Sequence, residues 1–509
     1  MVRLPMIPPK LSNLNSEFIS KKHQCLCLLK FCASTKQLSQ IHAQLQVSDL
    51  SQDSFLLTEL VYVCALSSFK DLNYARALVD HSHNTPPASW NILIRGYASS
   101  ESPIEAMWVF HRMRNREVAR NKLTFPFLLK SCAKAAALGE GRQVQAEVVK
   151  IGLDSDVYVR NNLINFYGSC KKILDAERVF DEMSDRTVVS WNSIITACVE
   201  NLWFKDGIGY FVKMRDSGFE PDETTMVVML SACSELGNLS LGRWLHSQLI
   251  VRGIVLNCQL GTALVDMYAK SGAVGYARSV FNSMEERNVW TWSAMIMGLA
   301  QHGFAKEALA LFPKINNHPT ITPNYVTYLG VLCACSHAGM IYEGYQYFLD
   351  MEHVHGIRPT MVHYGAMVDI LGRAGYLTEA YDFIQRMPFE PDPIVWRTLL
   401  SACTIHDVND HTGIGDKVRK RLLELEPRRG GNFVIVANMY AEVGKWEKAE
   451  NARKAMRDGG MKKMAGESCV ELGGSMYRFF SGYDSRPDLM LVYLLLQGLN
   501  LHLKMVNTW

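Results

Sequence analysis

Four short stretches decide how this chain is read: Ser89-Trp90-Asn91, Ser190-Trp191-Asn192, Thr291-Trp292-Ser293 and Val395-Trp396-Arg397, whose tryptophans stand 101, 101 and 104 residues apart. Spacing that regular marks an internal repeat. Each interval divides again into three related segments. Gly218-Phe219-Glu220-Pro221-Asp222 closes one segment and Phe389-Glu390-Pro391-Asp392 another. Ser231-Ala232-Cys233, Cys333-Ala334-Cys335 and Ser401-Ala402-Cys403 recur at matching points. Aligned on these, the units are 87–121, 122–156, 157–187, 188–222, 223–257, 258–288, 289–324, 325–360 and 361–392. Their lengths run 35, 35, 31, then 35, 35, 31, then 36, 36, 32, which sum to the tryptophan intervals. Looser units at 22–53 and 54–86 precede them, and 393–429 and 430–463 follow.

Within a unit the apolar spacing is helical. In 258–288, Ala263, Leu264, Met267 and Tyr268 recur at three and four residues, and Ala277, Val280 and Phe281 do so again after Gly272. Gly272, Gly303, Gly375 and Gly444 punctuate the middle of their units, where a glycine ends one helix and lets the chain turn back. Each unit is thus a pair of antiparallel helices that cannot bury its own apolar face. Neighbours must stack, and the predicted fold is all-α, a solenoid of helical hairpins.

Composition agrees with a folded protein and narrows the function. Of 509 residues, 48% are apolar and 20% charged, an ordinary globular mixture. No apolar run approaches the ~18 residues of a membrane span, so no membrane role is expected. The net charge is only +3, so any nucleic-acid contact must be confined to one face. The 13 cysteines form no paired framework and read as reduced thiols in a core.

The repeats resemble pentatricopeptide repeats. Thirty-five-residue helical hairpins ending in Gly-x-x-Pro-Asp are similar to that family, and the alternation of 35, 35 and 31 resembles its plant subclass of long and short triplets. Leu422-Leu423-Glu424-Leu425-Glu426-Pro427, with Gly466-Glu467-Ser468-Cys469-Val470-Glu471-Leu472, is similar to that subclass's C-terminal extension motifs. The resemblance implies a right-handed superhelix that binds single-stranded organellar RNA by sequence, most often to specify cytidine-to-uridine editing. It divides the chain into a leader at 1–21, an array at 22–392, degenerate repeats at 393–463 and an extension at 464–509. The leader carries Arg3, Lys10 and Lys21 against Glu17, as organelle transit peptides do, with a frayed terminus as the alternative reading. A mitochondrial address is expected, with the chloroplast as the alternative.

The candidate reading residues follow from position. The fifth and last residues of a unit pair as Asn91 with Asn121, Asn161 with Thr187, Asn192 with Asp222, Thr262 with Asn288, and Ser293 with Asn324. In the units between, the fifth residue is Pro126, Val227 or Leu329, which cannot make a directional side-chain hydrogen bond. Helix capping would explain any one of the polar residues alone. Polar in two units of three and apolar in the third favours recognition of bases. By the family's size rule, the pairs imply a pyrimidine for 87–121 and 157–187, uridine for 188–222, and adenine for 258–288 and 289–324. Unit 361–392 would lie four nucleotides before the edited cytidine.

Catalysis is not expected. A zinc deaminase carries His-x-Glu and Pro-Cys-x-x-Cys, and this sequence has neither. Cys25-Leu26-Cys27, Cys333-Ala334-Cys335 and His353-Val354-His355 read as core thiols and solvated imidazoles, so no metal, cofactor or small-molecule substrate is expected. An editing deaminase would be a separate DYW-type protein recruited through residues 393–509, with Tyr493 to Leu503 as an apolar contact helix or, alternatively, a cap packed on the last repeat. The competing readings are an RNA stability, splicing or translation factor, and a protein-binding scaffold like the tetratricopeptide solenoids.

Overall fold

The computed structural model describes residues 21–463, apart from 49, 51–52, 83, 317–319 and 407–410, together with two strands at 467–472 and 475–480 and the single positions 494 and 498. The expected leader (its final residue apart) and most of the expected contact helix lie outside the described residues. The chain divides into two compact units, residues 1–232 and 233–509.

In the first, helices Ser54–Leu66 and Leu72–His81, Pro87–Ala98 and Glu105–Asn115, Thr124–Lys134 and Leu138–Lys150, Val157–Ser169 and Ile173–Asp181, and Val188–Glu200 and Phe204–Asp216 pair as hairpins. In the second, Cys258–Lys270 with Val274–Ser283 begins a run of six such pairs that ends with Gly430–Glu442 and Trp446–Asp458. The first helix of one hairpin also packs on the first helix of the next, as in Val289–Gln301 against Tyr325–Ala338. Stacking of this kind joins small apolar faces into one long core.

The short repeats lose length at one place. Val157–Ser169 and Val188–Glu200 both have 13 residues, but their second helices, Ile173–Asp181 and Phe204–Asp216, have 9 and 13. The four residues removed amount to about one helical turn, so the hairpin shortens while its first helix keeps its register.

Burial follows the sequence periodicity. Trp90, Trp191, Trp292 and Trp396 are all in the core. Trp191 sits edge-on to Phe180 at 4.8 Å, and Trp292 to Phe281 at 4.9 Å. Their indole N–H groups find no acceptor, so ring packing rather than hydrogen bonding holds them. Small residues set the distance between neighbouring first helices. A Cβ on Gly168 would lie 2.7 Å from that of Ala197, and one on Gly372 would lie 2.8 Å from that of Ala402, closer than two carbons can approach.

After the helices comes an antiparallel hairpin of β1, Glu467–Leu472, and β2, Ser475–Phe480, with Glu467 opposite Phe480 and Leu472 opposite Ser475. No helix among the described residues is long and apolar enough to cross a membrane.

Candidate functional site

The last residue of a unit is also the residue on which the next helix starts. Thr187, Asn288 and Asn324 are the N-caps of Val188–Glu200, Val289–Gln301 and Tyr325–Ala338. The Asp222 carboxylate accepts from the Thr225 amide at 2.9 Å, and Asn121 Oδ1 accepts from the Leu123 amide at 3.0 Å. Capping satisfies amides that a helix start leaves without partners. It therefore accounts for Asp, Asn or Thr at this place, and it holds each side chain in one orientation.

The fifth residue meets that cap. Asn192 Nδ2 donates to Asp222 Oδ1 at 2.9 Å, with Oδ2 3.1 Å away. Asn91 Nδ2 donates to Asn121 Oδ1 at 3.2 Å, and Ser293 Oγ lies 3.3 Å from Asn324 Oδ1. Capping and pairing thus use the same oxygens, so the two explanations weighed from sequence describe one arrangement. The other two pairs differ. Thr262 reaches Asn288 through a relay, its Oγ1 2.7 Å from Thr291 Oγ1, which in turn lies 3.1 Å from Asn288 Oδ1. Asn161 makes no hydrogen bond to Thr187, and its Oδ1 is buried without a partner.

A third side chain binds each joined pair, and the sequence pattern did not single it out. Thr225 Oγ1 lies 2.6 Å from Asn192 Oδ1 and accepts from the Asp222 amide at 3.1 Å. Thr124 stands in the same relation to Asn91 at 2.8 Å, and Thr327 to Ser293 at 2.7 Å. All three are the third residue of the following unit and are fully buried. The signal was available, since Ser89, Thr124, Ser190, Thr225, Thr291 and Thr327 all occupy that place. Thr58 was also missed. It is the fifth residue of 54–86, and its hydroxyl lies 3.0 Å from that of Ser89.

Asn192 and Asp222 face an open groove of about 470 Å³, lined also by Gly168, Val189, Ser193 and Thr196. Asn192 is 9% exposed, whereas Asp222 is an exposed residue. Beside them Val189 is 58% exposed, an unusual environment for valine. The same second place of other units holds Phe55, Leu123, Tyr158, Trp290, Val362 and Ile394, and every one is exposed. A polar edge next to an apolar face, as in 188–222 and 289–324, is the arrangement that can stack a flat ring and hydrogen-bond its rim.

Among the described residues no group of three or more His, Cys, Asp or Glu could hold a metal ion. Burial pushes the Cys132, Cys198 and Cys335 thiols up to about 12, which keeps them protonated and unreactive. His355, expected to be solvated, instead has Nδ1 2.7 Å from the Tyr328 hydroxyl.

Comparison with known proteins matches the repeats and the tail. The PPR repeat model matches residues 88–118, 262–289, 290–317, 326–353 and 362–390, the PPR repeat family model 186–235, and the pentatricopeptide repeat domain model 143–201. The E motif model matches 410–471. The chain is 60% identical to the pentatricopeptide repeat-containing protein At2g36730 of Arabidopsis thaliana, over 95% of this chain and 96% of that protein. It is 37% identical to At1g59720, a chloroplastic/mitochondrial pentatricopeptide repeat-containing protein of the same plant, over 96% and 78%. Among solved structures, the pentatricopeptide repeat protein PPR10 in complex with an 18-nt psaJ RNA element is similar at 13% identity and a TM-score of 0.44, covering 89% of this chain and 88% of that one.

Proposed function

The chain belongs to the pentatricopeptide repeat family, and from that premise we propose that it is a sequence-specific single-stranded RNA-binding protein of a plant organelle. It acts as the recognition factor for a cytidine-to-uridine editing site, with the deaminase supplied by another protein. The observation that carries the reading is the Asn192–Asp222 pair. A hydrogen-bonded amide and carboxylate, fixed by a helix cap, line an open groove beside an exposed apolar side chain.

Chemistry then follows from donors and acceptors. The Asp222 carboxylate offers only acceptors, which suit the ring N–H of uracil or guanine, and an Asn at the same place offers a donor to adenine or cytosine. Asn91 with Asn121 and Ser293 with Asn324, joined in the same way, take equivalent roles in their units; Thr262 with Asn288, and Asn161 with Thr187, are assigned the same role from their positions without a direct bond within the pair. The exposed second residues supply the stacking face, worth ~1–3 kcal/mol per base where aromatic, so affinity does not need a strongly basic protein. Read in order from unit 87–121, the string is pyrimidine, any base, pyrimidine, uridine, any base, adenine, adenine, then two open positions. The array spans 22–392, with degenerate repeats to 463 and the extension beyond it.

Support for editing over other RNA roles comes from the E motif match at 410–471. Relatives named chloroplastic or mitochondrial support an organelle, and the basic leader favours the mitochondrion, which a fluorescent fusion of the first few dozen residues tests. The decisive binding experiment is Asn192→Thr with Asp222 kept. Preference at that nucleotide should move from uridine toward guanine, and an unchanged preference removes the pair from the reading role. In plants lacking the protein, one cytidine downstream of the string should stay unconverted. Altered transcript ends with every site edited would point to a stability or processing factor instead.

A further inference from the structure

The groove at Asn192 has a counterpart where no reading pair was expected. A second slot of about 380 Å³ lies beside helix Pro393–His406, in the degenerate part of the array. It is built on the same frame. Gly372 crosses Ala402 as Gly168 crosses Ala197, and exposed Ile394 stands where Val189 does. The residue in the place of Asn192 is Arg397.

The polarity of this slot is reversed. Arg429, the N-cap of Gly430–Glu442, holds the place of Asp222, but Arg397 Nη1 is ion-paired with Glu426 Oε2. That carboxylate is already occupied, because Asn432 Nδ2 donates to Oε2 at 2.8 Å and Arg429 Nη1 to Oε1 at 3.0 Å. Asn432 is the third residue of the next helical unit, the place of Thr225. Asp222 lines its groove, whereas Glu426 accepts from these three donors and is not among the residues lining the slot. The remaining capacity belongs to the Nε and Nη2 groups of Arg397, with the Arg373 side chain, anchored by Nε to Asp369 at 2.9 Å, on the opposite wall.

We propose that this slot takes one further nucleotide of the same strand, the one immediately 3′ of the nucleotide facing unit 361–392, and selects guanine there. A guanidinium is a planar fork of donors with no acceptor. Guanine presents two adjacent acceptors, O6 and N7, that match the fork, whereas adenine sets an amino donor beside N7. Ile394 supplies the apolar face. The inference rests on the reading of Asn192 and Asp222 as a base-selecting pair, and extends it past the last regular repeat.

The test uses the full chain and four RNAs that carry the predicted string and differ only at this nucleotide. Guanine should bind about fivefold or more tighter than adenine. Arg397→Ala should flatten that difference. Since this variant leaves Glu426 short of a partner, a second one guards against misfolding: Arg397→Asn with Arg429→Asp puts the residue types of Asn192 and Asp222 at the same places of this unit and should turn the preference to uridine. Equal binding of all four RNAs by the unaltered protein, with discrimination kept at the nucleotide facing Asn192, overturns the inference and leaves the broader reading standing. Loss of discrimination at both positions overturns the reading beneath it and this inference together.

Discussion

Thr225 Oγ1 stands 2.6 Å from Asn192 Oδ1, and this contact ties the fifth side chain of one repeat to the first turn of the next. The hydroxyl also lies 2.9 Å from Asp222 Oδ1 and accepts from the Asp222 amide. A single threonine therefore orients both members of the pair that lines the groove.

Thr225→Val keeps the shape and removes the hydroxyl. The Asp222 amide loses its acceptor and Asn192 Oδ1 its donor in a buried place, at a cost of about 1–3 kcal/mol. Urea unfolding should report that loss. With the amide free to turn, the preference for uridine at the facing nucleotide should weaken while total affinity for the string changes less. A variant that unfolds like the parent and discriminates as well would show that the hydroxyl orients nothing.

Leu202 occupies the turn between Val188–Glu200 and Phe204–Asp216 with a φ of 66°, where Gly272 and Gly303 sit in other repeats with φ of 79° and 81°. A side chain in the left-handed region costs roughly 1–2 kcal/mol, and Leu202 is 72% exposed, so it recovers little by packing. Glycine's extra freedom in the unfolded chain offsets part of the gain. Leu202→Gly should raise stability by roughly 0.5–1 kcal/mol, seen as a higher thermal midpoint, and a lower midpoint would contradict the strain argument.

Gly168→Ala tests the close crossing of neighbouring first helices. The added methyl would meet Ala197 at 2.7 Å, and the helices would have to separate, at about 1–3 kcal/mol. Gly152→Ala makes a contrasting control, because its Cβ would touch nothing but its φ of 71° adds backbone strain alone. Only the first change should also disturb the groove, which Gly168 lines, and so reduce RNA affinity.

His363 links capping to pH. It is fully buried, its Nε2 donating to the Tyr325 carbonyl at 2.8 Å and its Nδ1 accepting from the Thr360 amide at 3.2 Å. Burial holds its pKa below the ordinary 6.5. Because the unfolded chain takes up the proton first, this contribution to stability is complete above pH 6.5 and is lost as pH falls below it. His363→Thr, the residue type at this place in Tyr325–Ala338, should remove that part of the slope. His42 and His246, also held low by burial, are common to both proteins. Identical pH dependence of the two unfolding midpoints would refute the assignment.

The helical class was legible from very little. Trp90, Trp191 and Trp292 at equal intervals, with Leu264, Met267 and Tyr268 at helical spacing, already require stacked hairpins, because that periodicity is local and backbone-encoded. The groove was legible only as a rule of position. Asn192 and Asp222 are 30 residues apart, and nothing in a sequence states that a helix start brings them to 2.9 Å. Thr225 went unnoticed because a threonine early in a helix reads as an ordinary local cap, and its second bond reaches 33 residues back. Arg397 was visible as a departure from the pattern, but its meaning depends on how many donors crowd Glu426, which only coordinates reveal. His355 was misjudged for the same reason, since its partner Tyr328 lies 27 residues away.

Asn288 and Asn324 are each the final residue of one repeat and the start of the following helix. The seams of this molecule consequently fall one residue before the repeat boundaries. A fragment beginning at Val289 would open on bare amides, whereas one beginning at Asn288 would inherit the oxygen that accepts from Thr291. Anyone dissecting, shuffling or grafting these modules should cut ahead of that residue, so that each piece carries away its own beginning.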